Sequence, residues 1–369
     1  MDFTFDSVQT MLRDSAVKLF EDAPLLARLN TPRPTGYSED LWRQFAELGW
    51  FAIGIPEEMG GIGGGAVEAA VVIEEMGRNL VVSPFATSVL VPAQALVHFG
   101  TPGQRDALLP GIVDGSLQIA PAIEEAAAVT AQRSGAGYRL SGRKTVVPFG
   151  GTATHFLLSA LLEDGTALFV VPAAAKGLTV AQLVSIDDAA VADLDLSDVE
   201  LDGDSRIVNA KQALLLMRHL GIAALAAEVA GAAQALVDTT VDYLKTRKQF
   251  GVAIGSFQAL QHRAVDMFTR AEFVRSMAWL LASAFDHDPL GAETARIASA
   301  AKYLIGEYGK INSEEAIQLH GGMGVTRELP VGHYYKRMVV IENRLGTGFT
   351  HLETLIDGIF AESEASRAA

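Results

Sequence analysis

The sequence predicts an α+β protein in the order helix, sheet, helix. Three observations carry that prediction. Residues 1–116 place apolar side chains at helical spacing, interrupted by short Pro- and Gly-containing loops. Composition changes near Ser116, and over 117–207 the runs are short, β-branched and divided by Gly and Asp, as in a small β barrel or sandwich. From Val208 to the end, residues 208–369, the chain is Ala-rich and helical again.

In the first segment Phe5, Val8, Met11, Leu12, Val17 and Leu19 make one apolar stripe, and Leu41, Trp42, Phe45 and Leu48 a second, with Ser38 as its N-cap. The Gly-rich stretch from Ile55 to Gly65 invites comparison with a phosphate cradle. It lacks the P-loop lysine and fits no dinucleotide spacing, so a structural turn into the next helix is expected. Helical pattern continues over 94–99 and 104–112, where Thr101 caps and Pro102 occupies the first turn. The middle segment contains YRLSG, KTVVPF, HFLLSALL, ALFVVP, LTVAQL and the strictly alternating ADLDLSDVEL. Then Ala210–Tyr243 forms a long Ala-rich helix with Leu214, Met217, Ile222, Leu225 and Val229 at near-helical spacing, and Gly221 and Gly231 suit close packing.

With 369 residues the chain can bury a large core in two or three domains. The 29 basic and 44 acidic residues leave a net charge of −15, which argues against nucleic acid as a partner. Cysteine is absent, so there is no disulfide, thiol nucleophile or thiolate metal site, and the eight His show no HExxH spacing; no metal is expected. The acidic N-terminus lacks a signal-peptide pattern, and no run approaches the ~18 uninterrupted apolar residues of a membrane span. A cytoplasmic location without membrane attachment is the expectation.

Two motifs remain. The first, within Tyr243–Asp266, is RKQFG: Lys245, Arg247 and Lys248 lie where a helix C-terminus carries negative partial charge, and Gly251 can close that helix. A further helix follows with Phe257, Leu260, Val265 and Phe268 as its apolar positions. Either this is a solvated basic helix end, or Arg247 offers a planar fork to a phosphate and Phe250 a face to a ring. The second motif, Gln318-Leu319-His320-Gly321-Gly322-Met323-Gly324, closes an amphipathic run over 292–317, and its glycines let backbone approach a ligand closely.

Together RKQFG and QLHGGMG resemble the C-terminal domain of acyl-CoA dehydrogenases, and the resemblance extends over nearly the whole chain. DYLKTRKQFG, IGSFQALQHRAVDMF and VGHYYKR resemble most the small subunits of heteromeric members such as pimeloyl-CoA dehydrogenase. The resemblance implies the family architecture: helical N-terminal domain, middle β domain, C-terminal four-helix bundle. It implies FAD as cofactor, acyl-CoA as substrate and an electron-transfer flavoprotein as acceptor. Arg247, Phe250, Gln258, Gln318, Gly321, Gly322 and Thr347 match family positions that hold the ADP half of FAD, the first motif and the Gly-Gly turn serving the neighbouring subunit's cofactor.

Desaturating an acyl thioester needs a base for the α-proton, donors for the enolate oxygen and a flavin to take the β-hydride. In most of the family the base is a Glu immediately before the C-terminal Gly-Thr. Here that residue is Leu345, and Glu342 lies three positions earlier. Other members carry it 26 residues before the clamp Arg, where this chain has Gly221. Glu228, about 10 Å further along that helix, is either a displaced base or a carboxylate partnered with a basic side chain. The flavin-contacting segments are changed as well. Ile123-Glu124-Glu125-Ala126-Ala127-Ala128 replaces a Thr-Glu-Pro-Gly-type loop, Val146-Val147-Pro148 a Trp-Ile-Thr segment, and Phe349 a Gln. Groups for the chain's own flavin ring are missing while those for a neighbour's ADP remain. The resemblance therefore implies one subunit of an α2β2 enzyme whose partner chain carries the catalytic Glu. A self-sufficient flavoenzyme using Glu228 or Glu124, or a non-catalytic scaffold on this fold, stands as the alternative.

Overall fold

The computed structural model describes residues 4–21, 25, 29, 35–124 and 129–368, the final stretch 361–368 as backbone only. Within these, helices precede and follow an eight-stranded sheet, and a two-stranded hairpin lies among the later helices. Helix α1 (Ser7–Glu21) buries Leu12, Ala16 and Phe20, spaced four apart. The stripe expected to include Val8 and Met11 is displaced, since both are exposed. Helix α2 (Glu39–Glu47) starts at Ser38, whose hydroxyl accepts from the Leu41 amide. Helix α3 (Ala66–Arg78) follows the Gly-rich stretch, which is a turn: Gly54 donates to Gly63 and Gly63 back to Ile55. A π-helical turn leads into α4 (Val91–Phe99), and α5 (Pro102–Val113) opens with a complete Thr101–Gln104 capping box.

The strands β1 (Ile119–Ala122), β2 (Val129–Ser134), β3 (Gly137–Pro148), β4 (His155–Leu162), β5 (Gly165–Pro172), β6 (Leu178–Val184), β7 (Ala190–Leu201) and β8 (Arg206–Ile207) form one mixed sheet, ordered β6-β7-β3-β2-β4-β5-β8, with β1 parallel to β4. The alternation of β7 shows in its burial: Ala190, Ala192, Leu194 and Leu196 point inward beside Leu140, Phe156, Leu158 and Phe169.

Helix α6 (Ala210–Thr246) is followed by a short hairpin, β9 (Lys248–Gln249) and β10 (Val252–Ala253), then by α7 (Gln258–His287), α8 (Ala292–His320), α9 (Val331–Glu342) and α10 (Gly348–Ala368). By length and composition α6 could cross a membrane, although charged residues interrupt its apolar run; 83% of its apolar window is buried inside the protein, as in a core helix. The face of α7 that packs inward is Met267, Ala271, Val274, Ala278 and Leu281. Phe257, Val265 and Phe268, expected on that stripe, are exposed instead.

The chain forms two compact units: 1–32, 66–81 and 222–369 make one, and 33–65 with 82–221 the other. In the first, α3 and α6 cross with backbones touching. A Cβ on Gly77 would lie 2.0 Å from the Glu228 carbonyl oxygen, and one on Gly231 1.8 Å from that of Glu74. The Asp286 carboxylate of α7 caps α3, accepting from the Ala66 and Val67 amides at 2.7 and 3.0 Å. Because neither backbone can yield cheaply, Gly231→Ala is expected to cost about 1–3 kcal/mol or more. Urea unfolding of the variant measures this, and wild-type stability would contradict the close crossing.

Candidate functional site

Helix α6 ends at Thr246, and the chain turns at once into the two-stranded hairpin, with Ala253 opposite Lys248 and Val252 opposite Gln249. Phe250 and Gly251 are its two connecting residues, both with positive φ, 55° and 82°. That pair of signs is the tight hairpin turn matching strand twist. Gly251 is left-handed as expected, but it closes this hairpin and not the helix. A phenylalanine in the first position is costly, since L-residues in that region give up roughly 1–2 kcal/mol. Its ring is 92% exposed and touches Phe257 edge-on at 6.2 Å. The turn thus holds a strained residue whose ring the chain itself barely uses.

Arg247 sits at the base of the hairpin. Its amide donates to Tyr243 and its carbonyl accepts from Ile254, both at 2.8 Å. The backbone is fixed, while the exposed guanidinium has no ion pair among the described residues. Gln258, at the first position of α7, is exposed one residue beyond Phe257.

The second motif ends α8. Gln318 is exposed in the last turn. Gly321 takes φ 57° and ψ −138°, a region only glycine occupies comfortably. Gly324 is required for space, because a Cβ would meet the Ile317 carbonyl oxygen at 2.6 Å. Gly322 differs from both: its φ is not positive, and a Cβ would meet nothing within 4 Å. Nothing among the described residues requires glycine there, and Gly322 is exposed.

Two residues the motif reading passed over connect these arms. The Tyr243 and His320 rings lie 4.4 Å apart at 31°. His320 is buried, and Nδ1 donates to the Ala316 carbonyl at 2.8 Å. Burial lowers its pKa below the ordinary histidine value, so the ring is neutral and Nε2 is an acceptor, without a partner among the described residues. Leu244, Leu319, Ile254 and Leu260 pack into one core around this contact. An aromatic residue four before Arg247 and a histidine directly before Gly321 were visible in sequence; their contact was not. The Thr347 hydroxyl accepts from the Thr350 amide at the start of α10.

The structure also accounts for the base positions. Leu345 has φ 56° and packs half-buried against the apolar cores. Its carbonyl accepts from His351 Nε2 at 2.9 Å, and His351 Nδ1 lies 3.2 Å from the Ser299 hydroxyl. Glu342 faces inward: it accepts from the Gly348 amide, lies 3.9 Å from the buried Lys302 ammonium, and occupies space left by Gly306. Gly221 lies within α6 and contributes no side chain. Glu228 is gripped by Arg337 in a two-pronged pair at 2.5 and 2.8 Å, with side chains 15% and 6% exposed. Of the two readings of Glu228, the geometry matches the partnered carboxylate.

In the sheet, the Val146 amide donates to Asp193 at 2.9 Å, Val147 is buried, and Pro148, opposite Val191, has no N–H. The Glu124 carbonyl accepts from the buried Lys144 ammonium at 3.2 Å, and Ile123 is half-buried beside it. Residues 125–128 of that loop lie outside the described residues.

Comparison with known proteins places this geometry. Family models described as the acyl-CoA dehydrogenase N-terminal and C-terminal domains match residues 6–116 and 212–360. The chain belongs to the acyl-CoA dehydrogenase family. That membership carries the family's oxidoreductase chemistry, acting on acyl-CoA with a flavin, and its architecture of helical domain, sheet and helical domain. Acyl-CoA dehydrogenase FadE12 of Mycobacterium tuberculosis is 31% identical over 82% of this chain and 83% of its own length. Among solved structures, the steroid ACAD Tcur3481-Tcur3483 is 35% identical with TM-score 0.86, covering 97% of this chain and 98% of that one. The ChsE4-ChsE5 complex of Mycobacterium tuberculosis is 27% identical with TM-score 0.89, covering 97% and 99%.

Two outcomes follow from the site's own geometry. Phe250→Asn relieves the left-handed strain and should raise stability by about 1 kcal/mol; a lower urea midpoint would contradict the strained turn. Glu228→Leu leaves the buried Arg337 guanidinium without its carboxylate, costing about 3–5 kcal/mol. Adding Arg337→Met should recover part of that loss, read from the same denaturation curves.

Proposed function

We propose that this chain is the non-catalytic subunit of a heteromeric, FAD-dependent acyl-CoA dehydrogenase, clamping the ADP portion of FAD for a partner chain that carries the catalytic Glu. One observation carries the reading. The surface groups able to hold a pyrophosphate and an adenosine are free and open among the described residues, whereas Leu345 and Gly221 carry no carboxylate and Glu228 and Glu342 are already engaged. Among the described residues Arg247 presents an unpaired fork, Phe250 an exposed ring on a strained turn, and Gly322 an exposed backbone with open space where a side chain would stand. These residues fit the ADP half of the cofactor. The segments that would face a flavin ring do not fit, because Pro148 has no amide hydrogen and the Val146 amide is taken by Asp193.

When bound, FAD supplies the acceptor for the hydride leaving Cβ. In this reading Arg247 neutralises pyrophosphate charge, Phe250 and Gln258 flank the adenosine, and the backbone at Gly321 and Gly322 admits the phosphates closely. Gln318 lies on the same arm, and Tyr243 and His320 hold the two arms at a fixed spacing. Thr347, whose hydroxyl also caps the start of α10, would meet the same half of the cofactor. The assembly would be α2β2, passing electrons to an electron-transfer flavoprotein. The 35% identity to a steroid ACAD supports a bulky acyl-CoA, such as a steroid side-chain or dicarboxylic thioester.

The reading predicts that the chain expressed alone carries little flavin and does not turn over acyl-CoA. Tight FAD and turnover in the isolated chain would instead make it self-sufficient. In the complex, Arg247→Ala should weaken FAD retention about 10- to 100-fold, since charge-assisted bonds contribute roughly 1.5–3 kcal/mol each. Arg247→Lys should restore little, because an ammonium cannot reproduce bidentate geometry. A basic helix end with no cofactor role predicts otherwise: a stability loss of about 0.3–1 kcal/mol, repaired by Lys, with FAD titrations unchanged.

A further inference from the structure

We propose that the cavity between the start of α1, the start of α3 and the outer face of α7 binds a small organic cation, a protonated or quaternary amine with an apolar body. The cavity measures about 460 Å³, within the range of small-molecule sites. It uses none of the residues assigned above to FAD.

Two of its walls are aromatic. The Phe5 and Trp279 rings stand 5.2 Å apart at 52° and form a corner. Both are anchored. Phe5 adjoins Asp6, which makes a reciprocal cap with Gln9 at the head of α1, at 2.8 and 3.2 Å. Gln9 in turn donates to Glu68 of α3 at 2.9 Å. The Trp279 side chain is held by a hydrogen bond to Glu74, which fixes the indole and leaves its carbon framework as wall. The corner therefore exists before any ligand arrives, and little ordering remains to oppose binding.

An inventory of charge sets the sign of the ligand. Arg275, on the lining, is held by Glu74 at 3.0 Å. In the adjoining 190 Å³ hollow, which shares Phe5 and Arg275, Arg78 is paired with Asp238 and Arg13 with Asp14. Each guanidinium thus has a carboxylate already, and an anionic ligand would find no free cation. Glu272 is the opposite case: among the described residues its carboxylate has no ion pair or hydrogen bond. With Ser276, Trp279 and Ser283 it occupies positions i, i+4, i+7 and i+11 of α7, one stripe along the cavity. What remains unengaged is a carboxylate, two hydroxyls and aromatic faces, a set that attracts positive charge. The protein already uses this attraction on the same ring, with the Arg13 guanidinium 5.4 Å from the Phe5 centroid.

Calorimetric titration of the full chain with choline, and with its uncharged isostere 3,3-dimethylbutan-1-ol, tests the proposal. Choline should bind at one site per chain, about 10-fold more tightly than the isostere. Glu272→Gln, at an exposed position expected to fold normally, should weaken choline by about 5-fold or more. Ser276→Trp should abolish binding by filling the space. The proposal is overturned if choline fails to saturate by about 10 mM, if both probes bind alike, or if neither variant changes the affinity.

Discussion

The first compact unit depends on how closely α3 and α6 approach each other. At Gly77 and Gly231 no side chain separates the helices, and each glycine meets a carbonyl of the opposite backbone. Three further links converge on the crossing. Arg275 of α7 reaches Glu74, the Tyr334 hydroxyl of α9 donates to the Arg78 carbonyl, and Arg337 of α9 grips Glu228. Buried polar groups persist only when paired, so an interior ion pair of this kind sets the registry of helices more than it adds stability. A carboxylate committed to that task has both oxygens occupied by the guanidinium.

Where α6 ends, the unit's core becomes a platform for the two motif arms. Their relative position is set by buried matter: the Tyr243–His320 ring contact and the leucines around it. The groups proposed to meet the cofactor are the exposed ends of that platform. This division suits a clamp on an anion held jointly with another chain. Rigid elements place the fork, the ring and the open backbone, and the cost of ordering them is met on folding and not on binding. The strain at Phe250 belongs to the same logic, since a left-handed aromatic residue persists where its neighbours over-determine it.

The middle sheet is built differently. Its interior is well packed, and Lys144, buried against the Ser159 hydroxyl and the Glu124 carbonyl, ties β3 to β4 and to the chain just after β1. Yet the stretch that the family resemblance assigns to the flavin, Val146-Val147-Pro148, offers no side-chain donor. A fold can be retained for its packing while the polar groups that once gave it chemistry are replaced, because the two demands fall on different side chains.

Sequence alone determined the element order, the sheet's place between two helical segments and the family. Alternation, helical spacing and capping residues such as Ser38 and Thr101 act over a few residues, and the two glycine-bearing motifs are contiguous. It also showed that Leu345 and Gly221 carry no carboxylate. Tertiary structure decided what depends on distant partners. Glu228 could be called a structural carboxylate only once Arg337, over a hundred residues away, was seen to hold it. The exposure of Phe257, Val265 and Phe268 turned on which face of α7 meets α3 and α8, since both faces carry apolar residues and periodicity cannot choose between them. Gly251 closes a hairpin and not a helix for a similar reason: the pairing of Gln249 with Val252 forms across the turn, and no local preference for Phe at positive φ announces it.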